Sequence, residues 1–484
     1  MELSTLQIIG VFLVGCISGM GSILDEFQTH RPLIACTMMG VVLGEPTTGI
    51  MLGGALEMIA LGWMNIGAAV APDAALASII SAILVIAGKQ DMNVAIGLAI
   101  PLAAAGQVLT IIVRAITVGE VLHRGDHVVD LAAALCDAES VSLHEGPLVD
   151  ALEAALAALS CWSVTRRGNV LVARTDTGAP ERVVLAGHVD TVPLADPPNL
   201  PTRREDRDGA EVLWGRGTVD MKGGVAVQLA VVQAVEEALS AGRSIPRDLT
   251  VVLYDAEEIA SEHNGLGHLV ASDPDLLAGD LAVLLEPTGG TIEGGCKGTL
   301  RVELTLTGTA AHSGRPWKGH NAIHDAADVL ALLSQHLARV VEVDGLTYHE
   351  GLQAVGIRGG IAGNVIPDEC VVTINYRFAP DRDGQEALAY VRGLFPDHEL
   401  VVTDLAPGAR PGLDRPAARA LVDGLGVEVG PKEGWTDVAR FTALGMPAVN
   451  FGPGDPGLAH HDDEHVPVDQ LRSCASALVR WVLA

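Results

Sequence analysis

The chain has 484 residues, a length for about three domains, with 60 Asp plus Glu against 31 Lys plus Arg and a net charge of −29. That balance excludes a sequence-independent nucleic-acid binder, which needs cations to neutralise phosphates, and 3% aromatic residues offer little for stacking bases. Seven scattered cysteines (Cys16, Cys36, Cys136, Cys161, Cys296, Cys370, Cys474), with no CxxC spacing, exclude a disulfide framework or thiolate zinc site and fit a reducing compartment.

Two unlike pieces explain a mean hydropathy of +0.34 in so charged a chain. Residues 1–118 hold seven acidic and three basic side chains, whereas the remaining 366 hold 53 and 28, a net of −25. Residues 3–24 and 92–113 are uncharged runs of 22 residues each, long enough as helices to cross a hydrocarbon core of about 30 Å. Shorter Gly-rich apolar runs between them are broken by Glu45-Pro46, Glu57 and Pro72-Asp73, as in broken helices lining a protected cavity. The expectation is an all-α membrane segment at the N-terminus; a buried soluble helix pair is the alternative. No basic region precedes the first run, which disfavours a signal peptide.

The strings Gly19-Met20-Gly21-Ser22-Ile23-Leu24-Asp25-Glu26-Phe27, His30-Arg31-Pro32-Leu33-Ile34-Ala35-Cys36 and Leu56-Glu57-Met58-Ile59-Ala60-Leu61-Gly62-Trp63-Met64-Asn65-Ile66-Gly67 resemble the mannose-type phosphotransferase system IIC subunit. The resemblance spans residues 1–118 and implies the N-terminal portion of a sugar channel, inner-membrane attachment, and IID, IIA and IIB partners.

From Gly119 the texture changes, with no Pro/Ser-rich linker at the join. Residues 183–186 read as a buried strand running into Gly187-His188-Val189-Asp190, and 249–254 as another running into Asp255-Ala256-Glu257-Glu258. Residues 281–285 lead to Glu286-Pro287, and 448–451 toward Ala459-His460-His461. A helical pattern over 225–239 lies between, opened by Gly223-Gly224. This alternation predicts an α/β domain with a mostly parallel sheet. Each His/Asp/Glu group then falls at the carboxyl end of a strand, where ligands bind in such sheets.

His188, Asp220, Glu258, Glu286 and His460 are imidazoles and carboxylates, a donor set for zinc, cobalt or manganese. Three carboxylates against two divalent ions leave one positive charge, a count that suits a two-metal hydrolytic site. Asp190, two residues beyond His188, points to the same side of an extended segment and is placed to accept the other imidazole N–H. The loop around Asp220, Gly215-Arg216-Gly217-Thr218-Val219-Asp220-Met221-Lys222-Gly223-Gly224, lacks the spacing of a phosphate cradle. His461 competes with its neighbour for the imidazole role.

Gly187-His188-Val189-Asp190-Thr191-Val192-Pro193, the Asp220 loop, Glu257-Glu258, Glu286-Pro287-Thr288 and Ala311-His312-Ser313-Gly314-Arg315-Pro316 resemble the family of succinyl-diaminopimelate desuccinylase, acetylornithine deacetylase and aminoacylase. Residues 359–367, Asn375-Tyr376-Arg377-Phe378 and Gly434-Trp435-Thr436-Asp437-Val438-Ala439-Arg440-Phe441 point within it to actinobacterial-type desuccinylases. The resemblance covers residues 126–484. It implies that His188 and Glu286 hold one metal, Glu258 and His460 the other, with Asp220 bridging and Glu257 as general acid/base. The ligand's spacing before Glu464 selects His460 over His461. The ions implied are zinc, with cobalt possible. The expected reaction, in the cytoplasm, is removal of succinate from N-succinyl-LL-2,6-diaminopimelate; N-acetylornithine deacetylation or peptide cleavage would use the same metals. A IIC membrane component is the reading from a different class, supported by residues 1–118 alone.

Within the hydrolase half, strand patterns at 301–306, 352–357, 369–377 and 398–402 and helical patterns at 320–340 and 385–394 predict a small antiparallel α+β unit over 298–405. It would interrupt a catalytic domain made of 119–297 and 406–484. The resemblance implies a ferredoxin-like lid and a homodimer through it, with His312 reaching the partner's site to polarise the scissile carbonyl. Asn364 and Arg377 are candidates for holding the carboxylates of a small anionic N-acyl amino acid, because so acidic a half needs local cations to admit an anion.

Overall fold

The computed structural model describes residues 3–24, 29, 31–60, 74–99, 101 and 128–484. The join at Val118-Gly119, the motif residues 61–67 and most of the second uncharged run lie outside the described residues.

The N-terminal part is helical: Thr5–Leu24, Pro32–Leu43, Pro46–Ala60 and Ala74–Ile86. The second helix ends at Gly44 in the left-handed region (φ +87) and the third opens on Pro46, so the Glu45-Pro46 break stops one helix and starts the next. Small residues let this pair approach: a Cβ on Gly49 would meet the Cys36 carbonyl oxygen at 2.4 Å. Met39, Leu43, Leu52, Leu56 and Ile86 form the shared core, while Leu6, Phe12 and Met58 face outward. Among the described residues no helix is long and apolar enough to cross a membrane. Of the two runs expected to span, the first forms the 20-residue helix Thr5–Leu24 and most of the second lies outside the described residues; the helices between Pro32 and Ile86, of 12, 15 and 13 residues, are the shorter pieces expected there.

The hydrolase half is built on an eight-stranded sheet that is mixed rather than mostly parallel. Four central strands, in spatial order Arg247–Tyr254, Glu181–His188, Leu281–Leu284 and Ala448–Asn450, run parallel. The expectation fails at the edges. On one side the hairpin Ser163–Arg167/Val170–Arg174, turned by Gly168 at φ +60, adds antiparallel strands. On the other, Ile292–Gly294 runs against Ala448–Asn450 and alongside Val429–Pro431. Neither hairpin pairing nor strand direction leaves a mark in a short apolar run.

Helices cover both faces. The helix Lys222–Ser240 is buried through its first two turns because Gly223 and Gly224 sit where a Cβ would come within 2.2 Å of the Thr218 oxygen and 2.0 Å of the Leu285 oxygen. With Val468–Leu483 and Val128–Asp137 it closes one core. Tyr254, Leu266, Phe441 and Met446 belong to the core on the opposite face.

Between Gly298 and Ala406 the chain forms a four-stranded antiparallel sheet in the order Gly351–Gly359, Glu369–Phe378, Gly298–Thr307, Leu400–Ala406. Ala322–Gln335 follows its first strand in sequence and Gly384–Leu394 its third, giving a β-α-β-β-α-β succession. Leu300, Leu304, Val329, Ile374 and Val391 lie in its separate core. The helix expected over 320–340 stops at Gln335, and a hairpin follows, Val340–Val343 with Leu346–His349. Asp344 and Gly345 turn it at φ +50 and +86, the conformation an Asp-Gly pair favours in a two-residue hairpin loop. The hairpin buries Tyr348, whose hydroxyl donates to the Gly294 carbonyl at 2.7 Å, joining this unit to the edge of the large sheet.

Candidate metal centre

His188 is the last residue of its strand and fully buried. Its Nε2 lies 3.1 Å from Asp220 Oδ1, and its Nδ1 lies 3.3 Å from Asp190 Oδ1. The Asp190 backbone carbonyl, 3.1 Å from Nδ1, also accepts there, so a proton on Nδ1 would leave Nε2 as the lone-pair donor toward Asp220. Asp190 is held in turn by the Ser142 hydroxyl at 2.7 Å and by the amides of Glu257 and Glu258 at 3.1 and 3.2 Å. One buried carboxylate thus orients the imidazole and shapes the turn that follows Tyr254, where Ala256 adopts φ +55.

Donor atoms of His188, Asp220 and Glu258 all lie within 4.8 Å of one another. His460, on a loop whose backbone has φ +65 at that residue, brings Nε2 to 2.8 Å from Glu258 Oε2 and 3.3 Å from Asp220 Oδ2. Asp220 therefore faces one imidazole with each oxygen.

The charges of this cluster are poorly matched among themselves. Burial, reinforced by Glu286, Asp437 and Glu258, holds the Glu257 carboxyl well above the usual range. Burial first and Asp220 second push Glu286 up to about 7. Burial also raises Glu258, against the pull of His460. Burial opposes a charge on His188, yet its bonds to Asp190 and Asp220 outweigh that and raise it well above its ordinary value. Bonds to Asp220 and Glu258 lift His460 to about 10. Asp220, bonded to both imidazoles, is held well below the usual carboxylate range despite burial, whereas the three glutamates resist losing their protons. Glu258 Oε1, on the carboxylate whose Oε2 meets His460, is buried without a hydrogen-bond partner. A nitrogen and oxygen donor set of this kind fits divalent metal ions.

Other predicted site residues lie elsewhere. His312, on a two-residue strand Ala311–His312 paired with Val365–Ile366, is exposed, and its Nδ1 accepts from the Gly314 amide at 2.9 Å. Asn364, exposed beside that pairing, gives its carbonyl to the Ser313 amide at 2.9 Å. Arg377 is half-buried in the smaller sheet opposite Thr299 and Gly351. Among the described residues, none of the three joins the His188–Asp220–Glu258–His460 network.

Several residues that shape the site are given no site role by the sequence. Ser142 and Glu145, on one turn, grip Asp190 and the Ala256 amide. Asp437, fully buried, accepts from Asn264 Nδ2 at 3.1 Å and from Arg440 Nε, while Arg440 Nη2 donates to Ser261 Oγ at 3.0 Å, tying residues 434–441 to the Glu257 loop. The spacing that distinguishes His460 from His461 already involves Glu464, whose hydrogen bonds it does not reveal.

Comparison with known proteins agrees with this geometry. The profile of Peptidase family M20/M25/M40 matches residues 184–484. A tripeptidase from Staphylococcus aureus has the same fold, with TM-score 0.61 and 21% identity, covering 74% of this chain and 97% of that one. The chain belongs to peptidase family M20/M25/M40 and is a metal-dependent hydrolase.

Its hydrolase half is homologous to succinyl-diaminopimelate desuccinylase. The Corynebacterium glutamicum enzyme is 44% identical over 366 residues, 74% of this chain and 96% of its own length. A Mycobacterium tuberculosis protein carrying that name provisionally is 51% identical over 362 residues, 74% of this chain and 98% of its own. Residues 5–135 match the sorbose-specific IIC component of the phosphotransferase system. The mannose-specific IIC component of Escherichia coli is 73% identical over 130 residues, 27% of this chain and 48% of its own, so the chain spans about half of that relative.

Proposed function

We propose that the chain removes succinate from N-succinyl-LL-2,6-diaminopimelate by hydrolysing its amide bond. The observation that carries this reading is the 51% identity extending over 98% of the Mycobacterium tuberculosis relative. In this reading His188 and Glu286 would hold one divalent ion, Glu258 and His460 a second, with Asp220 shared by both; zinc suits the donors, and cobalt is the alternative. Such ions supply a lowered water pKa and stabilisation of charge on the carbonyl oxygen.

The chain's own groups do the rest. Glu257 takes the proton of the attacking water and passes it to the departing amine nitrogen. Asp190 keeps the proton of His188 on Nδ1. Residues 119–297 and 406–484 form the catalytic domain, and 298–405 form a lid through which two copies pair. The exposed Val355 and Ile357 on the edge strand Gly351–Gly359 support that pairing. In the dimer His312 serves the site of the partner subunit by polarising the scissile carbonyl, and Asn364 and Arg377 receive the substrate carboxylates. All seven cysteines are free thiols, in keeping with a cytoplasmic enzyme. The outward Leu6, Phe12 and Met58 support attachment of the N-terminal helices to the inner membrane; joining IID, IIA and IIB partners would require the other half of a IIC subunit.

Turnover of N-succinyl-LL-2,6-diaminopimelate and of N-acetylornithine by the zinc-loaded chain tests the substrate. Faster hydrolysis of the succinyl compound is expected, and faster release of acetate from N-acetylornithine contradicts the proposal.

A further inference from the structure

We infer that the buried pair Glu464–Arg216 is a positioning device that sets the separation between Asp220 and His460. The inference rests on the reading of those two side chains as metal ligands.

Asp220 and His460 stand on loops far apart in sequence. Backbone pairing brings the loops together at Trp214 opposite His465, in the small sheet of Arg203–Arg207, Ala210–Trp214 and His465–Pro467. From that last rung, irregular backbone runs on to Asp220 in one loop and back to His460 in the other, so strand pairing alone does not fix the two side chains. Glu464 spans the gap. Its side chain is 1% exposed, with Oε1 accepting the amides of Val219 at 2.9 Å and of Asp220 itself at 3.1 Å. Oε2 accepts from Arg216 Nη1 at 2.9 Å, and the same Nη1 donates to the carbonyl of His461 at 3.1 Å. The Glu464 carbonyl takes the Gly215 amide at 2.9 Å. One carboxylate thus grips the backbone of the Asp220 residue, while its guanidinium partner grips the residue after His460. Asp220 Oδ2 and His460 Nε2 stand 3.3 Å apart under this constraint.

The chemistry of the pair suits the task. Three N–H donors converge on Glu464, and only a carboxylate offers acceptors alone; an amide would turn a donor toward one of them. A side chain of opposite charge accompanies it, so the pair adds no net charge to the site. The planar, permanently charged guanidinium of Arg216 places one nitrogen between two acceptors, at 2.9 and 3.1 Å, which a flexible lysine would have to reach at a greater entropic cost.

The test uses the full chain as parent, with Glu464→Gln, Arg216→Lys and, as a control, Asp248→Ala at the far end of the strand Arg247–Tyr254. Zinc affinity is read by competition with a chelating indicator, together with kcat and KM. Glu464→Gln and Arg216→Lys should each weaken zinc by about 10–100-fold, the range for residues that orient ligands, and lower kcat with KM within twofold of the parent. Asp248→Ala should lose thermal stability yet bind zinc within twofold of the parent, which separates positioning from general weakening. Zinc affinity within twofold of the parent in both site variants overturns the inference. So does failure of both to fold, since the pair would then serve the fold alone. A parent that binds no zinc would instead overturn the metal-centre reading beneath it.

Discussion

Replacing Glu257 with Gln separates proton transfer from metal assembly. The substitution leaves the backbone bond from residue 257 to Asp190, 3.1 Å long, in place. It also removes an acid that burial and three neighbouring carboxylates already disfavour in its charged form, so the metal-free protein should unfold no earlier than the parent. Turnover should fall by about 10²–10⁴-fold, the usual worth of a positioned general base, which is about 3–5 kcal/mol of barrier at 1.36 kcal/mol per tenfold. Both ions should remain. Glu258→Gln should act the other way, because it neutralises a side chain whose Oε1 lacks a partner and whose Oε2 lies 2.8 Å from His460; zinc content should fall before the fold does. Steady-state rates and metal analysis on both variants decide. A Glu257→Gln enzyme within tenfold of parent turnover, or one that loses an ion while Glu258→Gln keeps both, refutes the assignment.

The metal-free chain should lose stability as pH rises from about 4.5 to about 10. Glu286 moves from 4.5 up to about 7, and His460 from 6.5 up to about 10, on folding; the folded state therefore binds more protons in that window, and deprotonation favours unfolding. Zinc should flatten the dependence, and a metal-free melting temperature that climbs across this window would contradict it. Tyr348→Phe removes the bond to the Gly294 carbonyl, which keeps the Lys432 amide as a donor, at a cost of about 0.5–1.5 kcal/mol by denaturant titration; an unchanged midpoint would count against that anchor. Deleting residues 1–118 should leave kcat and zinc binding intact, since every proposed ligand lies at or beyond His188, and loss of zinc on truncation would disprove that independence.

The elements nearest the site were the most legible in sequence. A parallel strand buried on both faces reads as a continuous apolar run, and the polar residue that ends it stands out, as at His188, Glu257 and Glu286. Gly223-Gly224 marked a helix start because no side chain fits against the Thr218 and Leu285 oxygens. The antiparallel edges were not legible, since a run such as 170–174 looks the same whichever way its neighbour runs. After Gln335 the helical pattern of 320–340 masks a hairpin whose turn Asp344-Gly345 announces. Ser142, Glu145 and Arg216 escaped notice for a different reason: each acts through a backbone amide, carbonyl or carboxylate distant in sequence, and such contacts exist only once the sheet has assembled. Residue chemistry indicated which side chains suit a metal, whereas the carboxylates holding those side chains in place required coordinates.

His188, Asp220, Glu258, Glu286 and His460 are proposed to form one centre for two metal ions. Crystals of the zinc-loaded chain, with anomalous differences collected on both sides of the zinc edge, test it most directly. A pair of zinc peaks is expected flanking the Asp220 carboxylate, one bonded to His188 Nε2 and Glu286 and the other to His460 Nε2 and Glu258. A lone peak, or peaks away from Asp220, would contradict it.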